Sequence, residues 1–450
     1  MSNNHKHKFA AVILAAGKGT RMKSSLPKVM HKLAGWSLIT HVLRSVQSLQ
    51  PERAVVVVAP GMADVEATVK HTFSACDTAV QDKQMGTGHA VSCTKGTLGN
   101  YDGTVLVLYG DTPLITPETL QDMLDTSLSA DVVVLGMQLD DPTGYGRLII
   151  DSHEQLKEII EHKDATEEQR SITLCNSGIM AVKAHVLFEL LAQLDTRNAA
   201  GEYYLTDIVS KANERELRCR VAIAENTELL GINDRIQLAE AEAELQDRLC
   251  RNAMENGATL IDPPSTFLCA DTKLGQDVVI HPHVVFGPGV VVEDGAEIRS
   301  FSHIEGTHLK KNAIVGPFAR LRPGSVLEEG ARVGNFVELK KAHLGEGAKV
   351  NHLSYVGDSE VGADANIGAG TITCNYDGIS KHKTTIGAGA FIGSNTALVA
   401  PVSVGAGAII GAGSVITRDV EAGALALTRS EQINKPGIAD KLRNKQKKSG

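Results

Sequence analysis

The sequence is poor in aromatic residues: they make up 4% of its 450 residues, and there is one Trp. It also lacks any apolar run near the roughly 20 residues that a membrane-spanning helix needs, so membrane insertion is not expected. The opening "MSNNHKHKFAAVILAAG" has too short an apolar stretch for a signal peptide and flows into a strand. There is no excess of positive charge. The net charge of −8 argues against a nucleic-acid binder. The seven cysteines (Cys76, Cys93, Cys175, Cys219, Cys250, Cys269 and Cys374) form no CxxC pair and no metal-ligand spacing. They read as reduced thiols of a cytoplasmic protein. What remains, 42% hydrophobic and 22% charged, is ordinary for a soluble globular chain. Its length suggests two or three domains.

What the chain has in abundance is glycine, 43 residues, and a period of six. From Leu274 an aliphatic or aromatic residue returns at Ile280, Phe286, Val292, Ile298 and Ile304. After a slip the series resumes at Val315, Leu321, Leu327, Val333 and Leu339. Steps of five then lead through Leu344, Val350, Val356 and Val361 to Ile367 and Thr373. A last run reads Ile386, Ile392, Leu398, Val404, Ile410 and Ile416. Neither a helix nor an alternating strand has this period. It is the signature of a parallel β-helix of hexapeptides, three to a triangular coil, with the periodic side chain pointing inward. A thin, filled core has no cavity, so a site must lie on an outer face or between subunits. Flat faces of fixed length favour symmetric association.

The first half has another pattern. Residues 9–15 read as a buried strand, followed by "LAAGKGTRM" and then Pro27-Lys28. A Gly-rich turn after a strand brings bare N–H groups up to phosphates, and Arg21 and Lys28 add positive charge. The run matches neither a Walker A loop nor GxGxxG. A helix near Ser37 to Leu49 precedes the strand "AVVVVA". Beyond "VQDKQMGTGHAV", the run "TVLVLYGDTPLI" places Tyr109, Gly110 and Asp111 at the C-terminal end of an apolar strand. Ligands bind at that end of an open α/β sheet, where Asp111 is either a Mg²⁺ ligand or a helix-capping residue. Glu161 and Asn176 suit either sugar hydroxyls or an ordinary surface. Strands and helices alternate to about Gly231, as in a Rossmann-like, mostly parallel sheet. Asn233 stands at a probable helix start, and the Ala/Glu/Leu-rich stretch that follows predicts a long connecting helix. The expected domains are 1–235, a linker helix 236–256, and a β-helix 257–450 with a basic tail (Lys435, Lys441, Arg443, Lys445, Lys447, Lys448).

The motifs "LAAGKGTRM…PK", "GTGHA", "YGD", "GYGR", "EHKDA" and "GEYYLTD" resemble those of the sugar-1-phosphate nucleotidyltransferases. Followed by hexapeptides carrying "HLSYVGD" and "GAGTITCNYDG", the set resembles the bacterial bifunctional N-acetylglucosamine-1-phosphate uridylyltransferase/glucosamine-1-phosphate acetyltransferases. The resemblance implies a left-handed β-helix that forms a homotrimer. It implies acetyl transfer from acetyl-CoA to glucosamine 1-phosphate. Uridylyl transfer from UTP to N-acetylglucosamine 1-phosphate follows, and the product supplies peptidoglycan and lipopolysaccharide synthesis. It further implies that Leu14, Ala15, Ala16, Gly17, Arg21 and Lys28 hold the triphosphate, with Arg21 and Lys28 catalytic. Gln81, Gly86 and Thr87 would read uracil. Tyr109 and Gly110 would line the nucleotide-sugar site. Gly146, Glu161 and Asn176 would hold the sugar, and Asp111 and Asn233 would hold Mg²⁺. In the β-helix it implies His352 as general base. Arg322, Lys340 and Lys381 would take the phosphate, and Tyr355 and Asn366 the sugar. Ala369, Asn375, Tyr376, Ser394, Ala412 and Arg429 would take acetyl-CoA between neighbouring subunits. Two competing readings are a glucose-1-phosphate adenylyltransferase-like enzyme with a structural β-helix and a trimeric scaffold. The first gives no reason for His352, Tyr355 and Asn375-Tyr376, and intact Arg21, Lys28 and Asp111 speak against the second.

Overall fold

The computed structural model describes residues 7–198 and 201–447. The opening "MSNNHK" and Lys448 of the basic tail lie outside the described residues. The chain forms two compact units, Met1–Gln246 and Asp247–Gly450, and the helix Arg235–Glu255 runs through the boundary.

The first unit is built on a twisted sheet. Its main strands lie in the order Cys219–Ile223, Val132–Gln138, Leu174–Lys183, Thr104–Tyr109, Phe9–Leu14, Arg53–Val58, Asp77–Val80. Neighbours run parallel, except that Leu174–Lys183 is antiparallel to the strands on both sides. Both faces are covered. Ala10 and Val12 belong to one core cluster, Ala11 and Ile13 to the other, and all four are fully buried. Burial on two faces explains why "AVVVV" is an unbroken apolar run rather than an alternation. The helix Leu38–Ser48 covers one face with Ile39, Val42, Leu43 and Val46, at helical spacing. Its N-terminus is capped by Ser37, whose hydroxyl accepts from the Thr40 N–H at 3.3 Å.

The second unit is a left-handed parallel β-helix of short strands in three rows. Every periodic residue named above is buried except Leu274, which is half-buried. The slip before Val315 is a step of five. Leu309 is fully buried and takes the inward place in the strand Thr307–Leu309. Successive coils stack in register, as in Ile298 on Val315, Val315 on Val333, and Val333 on Val350. Residues 375–383, between the strands Ile372–Cys374 and Thr384–Ile386, leave the coil. This loop is held by an antiparallel bridge between Tyr376 and Lys381 and by His382 on Asp377 at 2.7 Å. Within the basic tail, Ile438–Lys447 is helical. Among the described residues no helix is long and apolar enough to cross a membrane. All seven cysteines are free, and burial raises the thiols of Cys76, Cys219 and Cys269 to about 12.

Candidate active sites

The first site lies at the C-terminal ends of the parallel strands. Leu14 and Tyr109 end adjacent strands and pair in register. The loop after Leu14 is anchored by Ala15 N–H on Val57 O at 2.8 Å and by Gly110 N–H on Leu14 O at 2.9 Å. A cavity of about 310 Å³ opens there, lined by Leu14 to Gly17, Lys28, Gln81, Gly86, Thr87, Tyr109 and Asp111. Gly110 stands behind it, where an added Cβ would press on Val29 and Ile39 at 3.1 Å. Gln81 is buried and donates through Nε2 to Gly86 O at 3.1 Å. Thr87 Oγ1 accepts from Leu205 N–H at 3.0 Å.

Asp111 and Asn233 meet across 122 positions of sequence because Ile232 N–H donates to Asp111 O at 2.9 Å. Asp234, not Asn233, caps the long helix, accepting from Ile236 and Gln237 N–H at 2.9 Å. Asn233 is thereby left for the site. Its amide nitrogen donates to Gly231 O at 3.2 Å, and its Oδ1 lies 3.2 Å from Lys28 Nζ. The Lys28 ammonium also forms an ion pair with Asp111. Two hard oxygen donors thus converge on one cation position. That donor set suits Mg²⁺, which takes one or two protein oxygens and completes its shell with phosphate and water.

An adjoining cavity of about 380 Å³ is lined by Thr87, Tyr109, Gly144, Glu161, Asn176, Glu202 and Thr206, among others. Burial, then Asp164 and Asp207, raises the Glu161 carboxyl above its usual range. A buried carboxyl of this kind suits neutral hydroxyls. Burial, with Asp111 adding, likewise raises the Tyr109 hydroxyl and keeps it neutral. Gly146 stands behind the wall. Its carbonyl accepts from Asn176 N–H at 2.8 Å, and an added Cβ would lie 3.5 Å from Glu161 Oε1. Arg21 is exposed and is not among the residues lining either cavity. Sequence reasoning passed over Gln84 and Glu202, which do line the first cavity. Both lie within motifs already noted, Gln84 just before "MGTGHA" and Glu202 inside "GEYYLTD".

The second site lies on the β-helix. Arg322 pairs in register with Lys340, and Lys340 with Gly357. Arg322 donates to Glu338 at 3.0 Å. The neighbouring Lys381 ammonium, then desolvation and Arg322, lowers the Lys340 ammonium below its usual range. Three cations crowding one patch suit a phosphate. Gly357 makes room beside them: an added Cβ would lie 2.5 Å from the Tyr355 hydroxyl and 2.8 Å from Asn375 Nδ2. Asn375 is buried and donates to Asp358, whereas Tyr376 is exposed on the expelled loop.

At one corner the coils form a column. Leu353 N–H donates to Asn335 O, Gly370 N–H to His352 O, Asn395 N–H to Ala369 O, and Gly413 N–H to Ser394 O, at 2.7–3.2 Å. His352, Ala369 and Ser394 therefore stack on successive coils. Arg429 caps the line by donating to Ala412 O at 2.8 Å. His352 is exposed, and its Nδ1 lies 2.7 Å from Asn335 Oδ1. Asn366 stands in the same row of strands as His352, one coil on, in register with Lys349, three residues before His352 on its strand.

The MobA-like NTP transferase domain model matches residues 11–172, and the bacterial transferase hexapeptide model matches residues 271–306 and 383–418. The chain is similar to proteins named "Bifunctional protein GlmU". It is 55% identical to that of Paramagnetospirillum magneticum over 98% of this chain and 97% of the relative. It is 57% identical to that of Rhodospirillum rubrum over 97% of each, and 55% identical to that of Roseobacter denitrificans over 97% of each. With such identity over nearly the whole of both chains, and with both domains in place, this protein belongs to the GlmU family of bifunctional uridylyltransferases and acetyltransferases that make UDP-N-acetylglucosamine.

Proposed function

We propose that the two reactions are divided between the two sites by the residues described above. The observation that carries the uridylyl assignment is the convergence of Asp111 and Asn233 on the Lys28 ammonium. The sugar-phosphate oxygen attacks the α-phosphorus of UTP, and the bond to the pyrophosphate leaving group breaks. The nucleophile is already an anion, so no general base is needed, and catalysis is alignment plus charge neutralisation. Lys28 and the bare backbone after Leu14 face the triphosphate, and Arg21, exposed and outside both cavities, is assigned to it by its place in the motif. Gln81, Gly86 and Thr87 face the uracil, and Glu161, Asn176 and the Gly146 backbone hold sugar hydroxyls. Mg²⁺ held by Asp111 and Asn233 would offset the charge on the phosphates.

Acetyl transfer belongs to the corner of the β-helix. Arg322, Lys340 and Lys381 hold the phosphate of glucosamine 1-phosphate, with Tyr355 and Asn366 on the sugar. His352 takes a proton from the amine as its nitrogen attacks the thioester carbon. The CoA thiolate departs and is protonated. The column Ala369, Ser394 and Ala412, with Arg429, Asn375 and Tyr376, forms the acetyl-CoA wall. Assembly as a homotrimer is part of the same reading. Phe301, Phe318 and Phe336 stack at centroid distances of 4.9 and 5.2 Å, each about half exposed, along the corner that carries Asn335 and His352. A cytoplasmic location fits the seven free cysteines.

Incubation with glucosamine 1-phosphate, acetyl-CoA, UTP and Mg²⁺, followed by mass analysis, tests the division. Chelation by EDTA is expected to stop the chain at N-acetylglucosamine 1-phosphate. Continued formation of UDP-N-acetylglucosamine in EDTA would remove the metal from the reading, and sedimentation as a monomer would remove the trimer.

A further inference from the structure

We propose that Asn335 is the positioning residue for His352. It holds the imidazole in the Nδ1–H tautomer and leaves the Nε2 lone pair to receive the proton of the amine. The proposal rests on the reading of His352 as the base.

The two residues are equivalent positions of consecutive coils and pair in register. Each is the last residue before a left-handed corner, at Phe336 with φ 55 and at Leu353 with φ 51. The backbone fixes both. Leu353 N–H donates to Asn335 O at 3.0 Å, and Gly370 N–H donates to His352 O at 3.2 Å. The Ser354 hydroxyl adds a bond to His352 O at 2.8 Å. The coils can approach this closely only because residue 334 is Gly, where a Cβ would stand 2.0 Å from Asn351 O. Between the rungs, Asn335 Oδ1 is 2.7 Å from His352 Nδ1.

With the Asn335 amide turned so that Oδ1 faces the ring, the bond needs a hydrogen on His352 Nδ1, because an amide oxygen only accepts. In a neutral imidazole the other nitrogen is then bare, because the hydrogen bond at one nitrogen decides the state of the second. A base needs that tautomer. The Nε2–H form would present a hydrogen to the amine and could not accept its proton. The partner is an amide rather than a carboxylate, so it orients the ring without contributing a charge. When the amine proton arrives at Nε2 the ring becomes imidazolium and Asn335 still accepts from Nδ1–H. The proton then passes to the departing thiolate, and the ring returns to its starting tautomer.

The test uses the full-length chain labelled with ¹⁵N-histidine, the His352 signals being assigned by their loss in His352→Gln. Wild type is expected to show Nδ1 protonated and Nε2 bare, and Asn335→Ala to shift the ring toward Nε2–H. The same variant should lose roughly 10–100-fold in acetyl-transfer kcat, the usual worth of a side chain that orients a ligand or base. The KM for glucosamine 1-phosphate and the uridylyl rate should hardly move. Asn335→Asp, which still accepts, should recover most of the kcat. The proposal is overturned by an Nε2–H signal in wild type, by an unchanged tautomer in Asn335→Ala, or by Asn335→Asp as slow as Asn335→Ala. Wild-type kcat in His352→Ala sinks the base assignment instead, and the spectrum still decides the tautomer.

Discussion

Lys28 and Asp111, both lining the first cavity, form an ion pair, and Asn233 Oδ1 lies 3.2 Å from the same ammonium. On the proposed reading Asp111 serves two cations in turn, the lysine and the metal, and the first prediction concerns its removal. Asp111→Ala is expected to abolish uridylyl transfer and leave acetyl transfer at its wild-type rate. Loss of a direct metal ligand removes several kcal/mol of transition-state stabilisation. Separate assays of the two reactions at limiting Mg²⁺ check this, and wild-type uridylyl turnover would contradict it.

His352→Ala should lower acetyl-transfer kcat by roughly 10²–10⁴-fold, the worth of a positioned general base. Arg322→Ala should act in the opposite sense and mainly raise the KM for glucosamine 1-phosphate, because the contact is made equally in ground and transition states. Steady-state kinetics of both variants, with sedimentation to confirm assembly, separates the two roles.

Gly334→Ala should destabilise the β-helix by about 1–3 kcal/mol, the usual range for overpacking. The new Cβ would stand 2.0 Å from the Asn351 carbonyl oxygen, which is backbone and cannot swing away. A lowered thermal midpoint, together with reduced acetyl transfer, is the expected result. Gly330→Ala isolates the other cost of replacing a glycine: nothing lies within 4 Å of a Cβ added there, and only its left-handed φ of 67 is strained.

His343 supplies a pH dependence. Its Nε2 is 2.9 Å from Glu328 and its Nδ1 2.9 Å from Glu360, so both contacts are satisfied as hydrogen bonds only by the imidazolium. Glu328, and then Glu360 against a burial cost, raises its pKa above the ordinary histidine value. A raised folded-state pKa means that the protonated ring favours folding. The stabilisation is complete below the unfolded-state pKa near 6.5 and is lost as pH rises through the higher folded-state value. The ring is 44% exposed, so solvent screening keeps the effect small. Thermal midpoints of wild type and His343→Gln should differ at pH 5.5–6 and converge above pH 8, and a constant difference would contradict the assignment.

The β-helix could be read from the sequence because its core admits one inward residue per hexapeptide, and Ile298, Val315 and Val333 fill those places. Leu309 was hidden because a step of five breaks the count, although its side chain completes the same core. The motifs placed Lys28, Gln81, Thr87 and Asp111 at one pocket: Gln81 and Asp111 follow the ends of parallel strands, and Lys28 and Thr87 open short helices beyond such ends. Asn233 looked like a helix cap. The capping oxygen belongs to Asp234, and only the bond from Ile232 to Asp111 reveals why the preceding side chain is spared. Asn335 gave no signal at all. Its meaning depends on stacking over a residue 17 positions later, a separation set by the length of that particular coil.

That dependence constrains how such a chain can change in length. Coils of different length nevertheless stack in one register, as Ile298 on Val315 and Val315 on Val333 do, because a step of five such as Ile304 to Leu309 is absorbed at a corner. Changes in length are therefore tolerable in three forms: a whole circuit, a blister, or one residue absorbed where a side of the coil takes five residues instead of six. The segment 375–383 is of the second kind: it leaves the spiral after Cys374 and returns at Thr384 with the inward sequence resuming at Ile386. A lineage of such proteins can lengthen the prism, grow loops from it or trim a residue at a corner, provided that the inward positions keep their places.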